Sequence, residues 1–192
     1  MRHCWLLAVA IYCVACAPGA SSRAAQGAEG SSGLRGPSAT ARPSPVPSGR
    51  PAELLRAHNL RRAKHCAPAL RWSNELARTA QRWADQLGKR GCGLTHSTTQ
   101  FGENLAAGTS GAFSPDAIVQ MWYGEIDQYS FRRGRFSMKT GHFTQLIWRA
   151  TRTVGCAVGR CEGMEVWVCN YDPPGNVEGM FDEQALALSC KR

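Results

Sequence analysis

Apolar residues recur at helical spacing in two stretches near the start of the folded region. The first stretch runs from Ala52 to His65 and follows Pro51, a residue suited to the first turn of a helix. The second begins after Ser73, a good N-cap residue, and ends near Gly88. Its apolar positions share one face: Leu76, Ala80, Trp83 and Leu87. The pattern predicts two amphipathic helices in this part of the chain.

A third helical pattern begins in the second half of the chain. Ser114-Pro115 provides an N-cap residue followed by a first-turn proline. The apolar residues that follow form one stripe: Ile118, Trp122, Ile126 and Tyr129. A shorter helical turn is expected over His142–Trp148. We therefore predict a third helix and a short fourth one.

Alternating positions rich in Val, Trp and Tyr predict β-strands towards the end of the chain. Two strands cover Thr153–Val158 and Met164–Tyr171, and the glycines and charge between them indicate a hairpin. A further strand is expected around Gly102–Ala106. Because helices come first and strands last, the fold class is α+β, and helices on both faces of a small antiparallel sheet would bury it.

The first fifty residues differ in composition from the rest. Residues 1–20 contain fourteen apolar residues from Cys4 to Ala17 after a short basic start, which matches a secretory signal peptide and is too short to span a bilayer. A buried helix and a retained signal anchor are the alternatives. Residues 21–50 are rich in Pro, Gly, Ser and Ala, which predicts a disordered leader. The folded domain is expected over residues 51–192, in a secreted, extracellular protein.

The net charge of +9 is spread unevenly over the 192 residues. Residues 1–50 carry five arginines and one glutamate and contribute +4, which leaves +5 for residues 51–192. A domain with this mild excess and no nucleic-acid reading motif is not expected to bind nucleic acid. The length and the 43% apolar content suit one domain with a real core, which we expect to be a monomer or a weak dimer.

Nine cysteines fit an exported protein. Three lie in the signal segment, and the other six lie in the domain: Cys66, Cys92, Cys156, Cys161, Cys169 and Cys190. An even number of cysteines in a secreted chain predicts three disulfides, for which 15 connectivities exist. A zinc site formed by these cysteines is disfavoured, because the chain has no pair of Cys-x-x-Cys knuckles.

Several short motifs follow one another along the domain. After His58-Asn59-Leu60-Arg61-Arg62 come His96-Ser97, Gly102-Glu103-Asn104-Leu105, Trp122-Tyr123-Gly124-Glu125, the run from Gly141 to Trp148 and the run from Val166 to Asn176. In this order they resemble the signature of the CAP superfamily of cysteine-rich secretory, antigen 5 and pathogenesis-related class 1 proteins. Residues 122–131 and 176–181 look most like its Golgi-associated animal branch, which is N-myristoylated. Because this chain begins Met1-Arg2 rather than Met-Gly, that lipid attachment is not carried over.

The resemblance implies an α–β–α sandwich in which four side chains line one solvent-open cleft: His96, Glu103, Glu125 and His142. Two imidazoles and two carboxylates suit a divalent metal such as Zn2+, with the carboxylates as ligands or as groups that orient the imidazoles. The same groups suit acid–base chemistry near neutral pH. The alternative is a polar network that fixes the cleft walls. Ser97 is a poor candidate nucleophile, because neighbouring residues on a strand point to opposite faces and the chain lacks a Gly-x-Ser-x-Gly turn.

The other polar and aromatic residues of the motifs have a simpler interpretation. They are expected to bond loop backbone or to fill the core: Asn104, Gln145, Trp148, Asn170, Tyr171 and Asn176. The resemblance also implies two plant-type disulfides, Cys92–Cys161 and Cys156–Cys169. The cysteines of the third plant-type bridge are absent here, so the pairing of Cys66 with Cys190 is a hypothesis.

Three functions fit these features. The first is a secreted, non-enzymatic module that binds a lipid, a sterol or an anionic membrane surface, through an apolar wall beside cationic groups: Ile118, Trp122, Phe131, Arg132, Arg133 and Arg135. A solvated loop is the alternative interpretation of these arginines. The second is a module that recognises an extracellular protein partner. The third, ranked below them, is a metal-dependent hydrolase or protease that uses the His/Glu cleft.

Overall fold

The computed structural model describes residues 47–190, with Cys190 described by its backbone alone. The predicted signal peptide and most of the predicted leader lie outside these residues. Within residues 47–190, no helix is long and apolar enough to cross a membrane.

The described residues form five α-helices, of which the first four follow the predicted order and the short fifth was not predicted. Their bounds are Gly49–Ala63 (α1), Asn74–Lys89 (α2), Pro115–Tyr123 (α3), Gly141–Ile147 (α4) and Phe181–Gln184 (α5). Short 3-10 helices cover Gly124–Gln128 and Leu188–Cys190. Two predicted N-caps are confirmed, because Ser73 accepts a hydrogen bond from the Leu76 amide and Ser114 accepts one from the Ala117 amide. Helix α1 begins three residues earlier than predicted and ends two residues earlier.

Four strands form one sheet in the order β1-β3-β4-β2. The bounds are Arg71–Trp72 (β1), Gly102–Thr109 (β2), Thr153–Cys161 (β3) and Met164–Asp172 (β4). Strands β3 and β4 form the predicted hairpin, and β2 pairs antiparallel with β4. The two-residue β1 was not predicted and pairs parallel with β3.

Helices cover both faces of this sheet. On one face, α2 packs on β3 and β4 around a core that includes Leu87 and Leu105. On the other, α1, α3 and α4 surround a larger core that includes Trp122 and Tyr171. Alternation along β2 separates the two cores, since Leu105 belongs to the first and its neighbour Ala106 to the second. The α+β class and the α–β–α sandwich are thereby confirmed.

Two of the three expected disulfides are present in the described residues. Cys92 bonds to Cys161, and Cys156 bonds to Cys169, its direct cross-strand neighbour in the β3–β4 hairpin. Cys66 is also disulfide-bonded. The side chain of its expected partner, Cys190, lies outside the described part of the structure, so this pairing stays a prediction.

Helix α2 lies against the backbone of β3 because that strand has glycine at the contact points. A Cβ atom at Gly159 would lie 2.0 Å from the Ala84 carbonyl oxygen of α2. Backbone cannot give way as a flexible side chain can. We therefore expect Gly159→Ala to lower the free energy of unfolding by about 2 kcal/mol, measured by urea denaturation. Gly124→Ala is the matched control, because a Cβ there meets nothing within 4 Å, and equal losses in both variants would contradict this account.

Candidate functional site

The first part of the candidate site is a buried His–Glu pair at the start of α4. The Nδ1 atom of His142 lies 2.6 Å from Oε1 of Glu125, which follows α3 on the 3-10 segment. The other carboxylate oxygen, Oε2, accepts the backbone amides of His142 and Phe143 at 3.0 and 3.1 Å. Glu125 therefore caps α4, satisfies two of the amides that a helix start leaves open, and holds the imidazole in one orientation.

A second pair has the same design at the start of β2. The Nδ1 atom of His96 lies 2.7 Å from Oε1 of Glu103, and this oxygen also accepts the Ser97 amide at 3.0 Å. Asn170, opposite Glu103 on β4, donates to Oε2 at 3.4 Å. Each carboxylate thus binds an imidazole and a backbone amide, and the Ser97 hydroxyl pairs with Thr99 rather than with an imidazole.

The two pairs are more enclosed than an open cleft implies. The side chains of His96 and Glu103 are 14% and 5% exposed, and those of His142 and Glu125 are 5% and 9% exposed. They are linked through β2, because Asn104, the neighbour of Glu103, donates to the His142 carbonyl at 3.1 Å.

The arrangement does not form a ready metal site. Within residues 47–190, no three His, Cys, Asp or Glu side chains are grouped so that they could hold a metal ion. The carboxylates act as orienting groups in the observed geometry, one of the two roles considered for them. The observed geometry therefore does not group all four side chains as ligands of one ion, and leaves the imidazoles as the groups that would hold a metal, with the carboxylates orienting them. Zinc binding stays a prediction.

A directed hydrogen-bond chain lies behind His142. Asn104 donates to the Tyr171 hydroxyl, and this hydroxyl lies 2.9 Å from Nε2 of His58. Nδ1 of His58 must carry the proton, because it lies 2.7 Å from the Leu54 carbonyl, which can only accept. Nε2 therefore accepts from Tyr171. Complete burial lowers the pKa of His58 to about 4 and raises that of Tyr171, so both stay neutral at pH 7.

Gln145 contacts residues of two other sequence motifs, and the sequence alone did not predict this link. Its side-chain oxygen, Oε1, accepts a hydrogen bond from the Gly175 amide at 2.8 Å. The same oxygen lies against Gly102, since a Cβ atom at Gly102 would be only 2.1 Å from it. Asn176 bonds in the same region, donating to the Gly141 carbonyl at 2.9 Å and accepting from Thr144 at 2.6 Å. These amides hold loops in place, as their structural interpretation predicts.

The predicted apolar wall is part of the core. Ile118 and Trp122 are fully buried, and Trp122 stacks on His142 and donates to the Leu105 carbonyl. Phe131 is half-buried in a cluster with Tyr129 and Phe143. The three predicted arginines are exposed: Arg132, Arg133 and Arg135. A ligand can reach the arginines, but Ile118 and Trp122 are already packed in the core, where α3 lies against α1 and α4 and Trp122 bonds to β2.

These elements and motifs define the class of protein. The model of the CAP family, described as the cysteine-rich secretory protein family, matches residues 55–171. This chain belongs to that family.

Relatives from fungi and plants share this domain. Repressed by EFG1 protein 1 of Candida albicans is 46% identical over 131 residues, which are 67% of this chain and 47% of that protein. Pathogenesis-related protein 1C of Nicotiana tabacum is 40% identical over 130 residues, 66% of this chain and 77% of that protein. Secreted protein RBT4 of Candida albicans is 42% identical over 134 residues, 66% of this chain and 36% of that protein. The chain thus spans less than half the length of these fungal relatives.

A solved structure shows the same fold. Venom allergen-like protein 4 of Schistosoma mansoni superposes with a TM-score of 0.58 at 22% identity, over 71% of this chain and 96% of that one. The likeness concerns the fold alone.

Proposed function

We propose that this chain is a secreted, non-enzymatic extracellular module that binds a lipid or sterol, or a protein partner. The observation that carries this proposal is the state of the two carboxylates. Glu103 holds an imidazole and one backbone amide, and Glu125 holds an imidazole and two, so both serve as fixed structural acceptors. A carboxylate that acts as a general acid or base must exchange a proton with the substrate, which would break these bonds, so neither glutamate is placed for that role itself.

Export is proposed on three grounds. The apolar run in residues 1–20 matches a signal peptide. A relative, RBT4, is named a secreted protein. The two disulfides of the described domain are in keeping with an oxidising compartment.

An apolar groove along α1 supports a lipid or sterol as ligand. Its volume is about 390 Å³, within the range of small-molecule sites. The lining residues are mostly apolar: Pro47, Ala52, Leu55, Arg56, Asn59, Leu60 and Ala63. Leu60 is 50% exposed in the last turn of α1, where it offers apolar surface to a ligand.

Leu60→Gln tests this groove. We expect the variant to lose most of the sterol or fatty acid that co-purifies with, or is transferred to, the wild-type protein, because the change removes apolar contact without disturbing the helix. Mass spectrometry of lipid extracts gives the bound amount. Leu188→Gln is the control, since Leu188 is also 50% exposed but does not line the groove. If neither the wild-type protein nor the variants bind lipid, and the wild-type protein retains a protein partner from extracellular fluid, the result favours a protein partner as the ligand.

A metal-dependent hydrolase or protease is the alternative, and one observation favours it. Glu125 and Glu103 bind Nδ1 of their histidines, which turns Nε2 of each ring away from the carboxylate, as in histidines that bind metals. This alternative requires peptide or ester hydrolysis that a chelator abolishes and that His142→Ala removes from a folded protein. Without such activity in a clean preparation, the alternative fails.

A further inference from the structure

Two loops beside the start of α4 form one continuous surface. We call residues 131–139 and 176–182 together the two-loop surface. The second segment is held to α4, which follows the first segment, by the bonds of Asn176 to Gly141 and Thr144. At the other end, the carboxylate of Asp182 lies so close to Gly134 that a Cβ there would be 1.7 Å from Oδ1. The two segments therefore have a fixed relation to each other.

Exposed apolar side chains are concentrated on this surface. The described residues include five exposed large hydrophobic side chains, and three of them are here: Met138, Val177 and Met180, at 39%, 43% and 38% exposure. The backbone bond from Met180 to the Val177 carbonyl brings two of them into one turn. Val177 follows Asn176, and Met138 comes three residues before Gly141, so the Asn176–Gly141 hydrogen bond brings the parts of the chain that carry them together. Exposed apolar groups that cluster in this way mark an interaction site more often than isolated ones do.

Cations flank these apolar groups. Arg132, Arg133, Arg135 and Lys139 are exposed, and none lies within ion-pair distance of a carboxylate among the described residues. The surface also has acidic residues. Glu178 and Asp182 of the second segment are both exposed, and Asp182 also lies against Gly134. Among the side chains of the first loop, the charge is entirely positive.

We propose that the two-loop surface docks on an anionic lipid bilayer. Flexible apolar side chains would enter the interface, while the guanidinium and ammonium groups meet lipid phosphates and carboxylates. A bilayer fits better than a protein partner, because none of the exposed large apolar side chains of this surface is an aromatic anchor of the kind that dominates protein interfaces. This inference rests on the proposed lipid-binding function and names the surface from which the module would take or deliver its ligand.

Vesicle sedimentation with the mature chain tests the proposal. We expect binding to phosphatidylcholine vesicles that contain phosphatidylserine, little binding to phosphatidylcholine alone, and a loss of binding as salt rises. The triple variant Arg132→Ser, Arg133→Ser, Arg135→Ser is expected to weaken binding at least about tenfold. Glu178→Gln should strengthen it, because it removes a repulsive carboxylate. Met138→Ser with Val177→Ser should weaken binding but leave its salt dependence unchanged.

A charge-matched control separates this surface from net charge. Arg71, Arg78 and Lys89 are exposed residues on or beside α2, across the sheet from α4, and their replacement by serine removes the same charge. Equal losses in both triple variants, or equal binding to both kinds of vesicle, would overturn the proposal. If vesicle binding fails while the groove still binds a sterol or fatty acid, only this inference fails. If neither is bound, the lipid-binding function fails with it.

Discussion

Replacing Arg62 by methionine is expected to lower the free energy of unfolding by about 4 kcal/mol. The Arg62 side chain lies on α1 and is completely buried. It donates to four backbone carbonyls, those of Pro68, Leu146, Trp148 and Thr151, at 2.9 to 3.1 Å. Methionine fills similar space but removes all four of these hydrogen bonds. The Trp148 and Thr151 carbonyls keep one other donor each, the Thr151 amide and the Arg152 guanidinium. Urea denaturation at pH 7 gives the change.

The negative end of α4 explains why a cation is tolerated in this position. Leu146 and Trp148 lie at the C-terminus of α4, where helix carbonyls lack partners and the helix dipole attracts positive charge. Burial lowers the pKa of Arg62 to about 10, which still leaves the guanidinium charged at pH 7. Arg56→Met is the control on the same helix, because Arg56 is exposed and the described residues include no hydrogen-bond partner for it. A loss for Arg62→Met as small as that for Arg56→Met would show that the four carbonyls find other donors.

Local sequence patterns predicted only some of the helices and strands. Spacing correctly predicted α1 and α2, because their faces have strong local patterns. It could not predict β1, since two residues carry no pattern and the strand exists only through its pairing with β3. The apolar stripe after Ser114 continued to Tyr129, yet α3 ends at Tyr123 and a 3-10 segment brings Glu125 to the start of α4. Contacts between distant segments decided both cases.

The candidate site was also predicted only in part. The motifs identified His142 and Glu125 as members of one site, because residue types and their order carry that information. They did not show that Glu125 also caps α4, since a carboxylate that holds backbone amides looks in sequence like one that binds a metal. The stripe of Ile118 and Trp122 is ambiguous for a related reason, because a core face and a ligand wall have the same spacing. Only the position of the sheet assigns it to the core.

The second large effect is a loss of stability in acid that originates at His58. Its imidazole is neutral and fully buried between Leu54 and Tyr171, with a pKa of about 4 instead of 6.5. The charges that act on it from its own helix are those of Arg62 and Arg61, and both oppose protonation. His58 therefore takes up a proton near pH 6.5 in the unfolded chain but only near pH 4 in the folded chain. Stability is complete above pH 6.5 and falls as the pH drops towards 4.

The size of this effect follows from the difference between the two pKa values. That difference corresponds to about 3 kcal/mol. His65 adds to the loss in the same direction, because burial also lowers its pKa. Urea denaturation between pH 4 and 7 is expected to show the decline, and NMR titration should find that the His58 ring stays neutral down to about pH 5. His58→Gln is less stable at pH 7 but cannot take up the proton, so its stability should depend less on pH. An unchanged slope in this variant would place the acid sensitivity elsewhere.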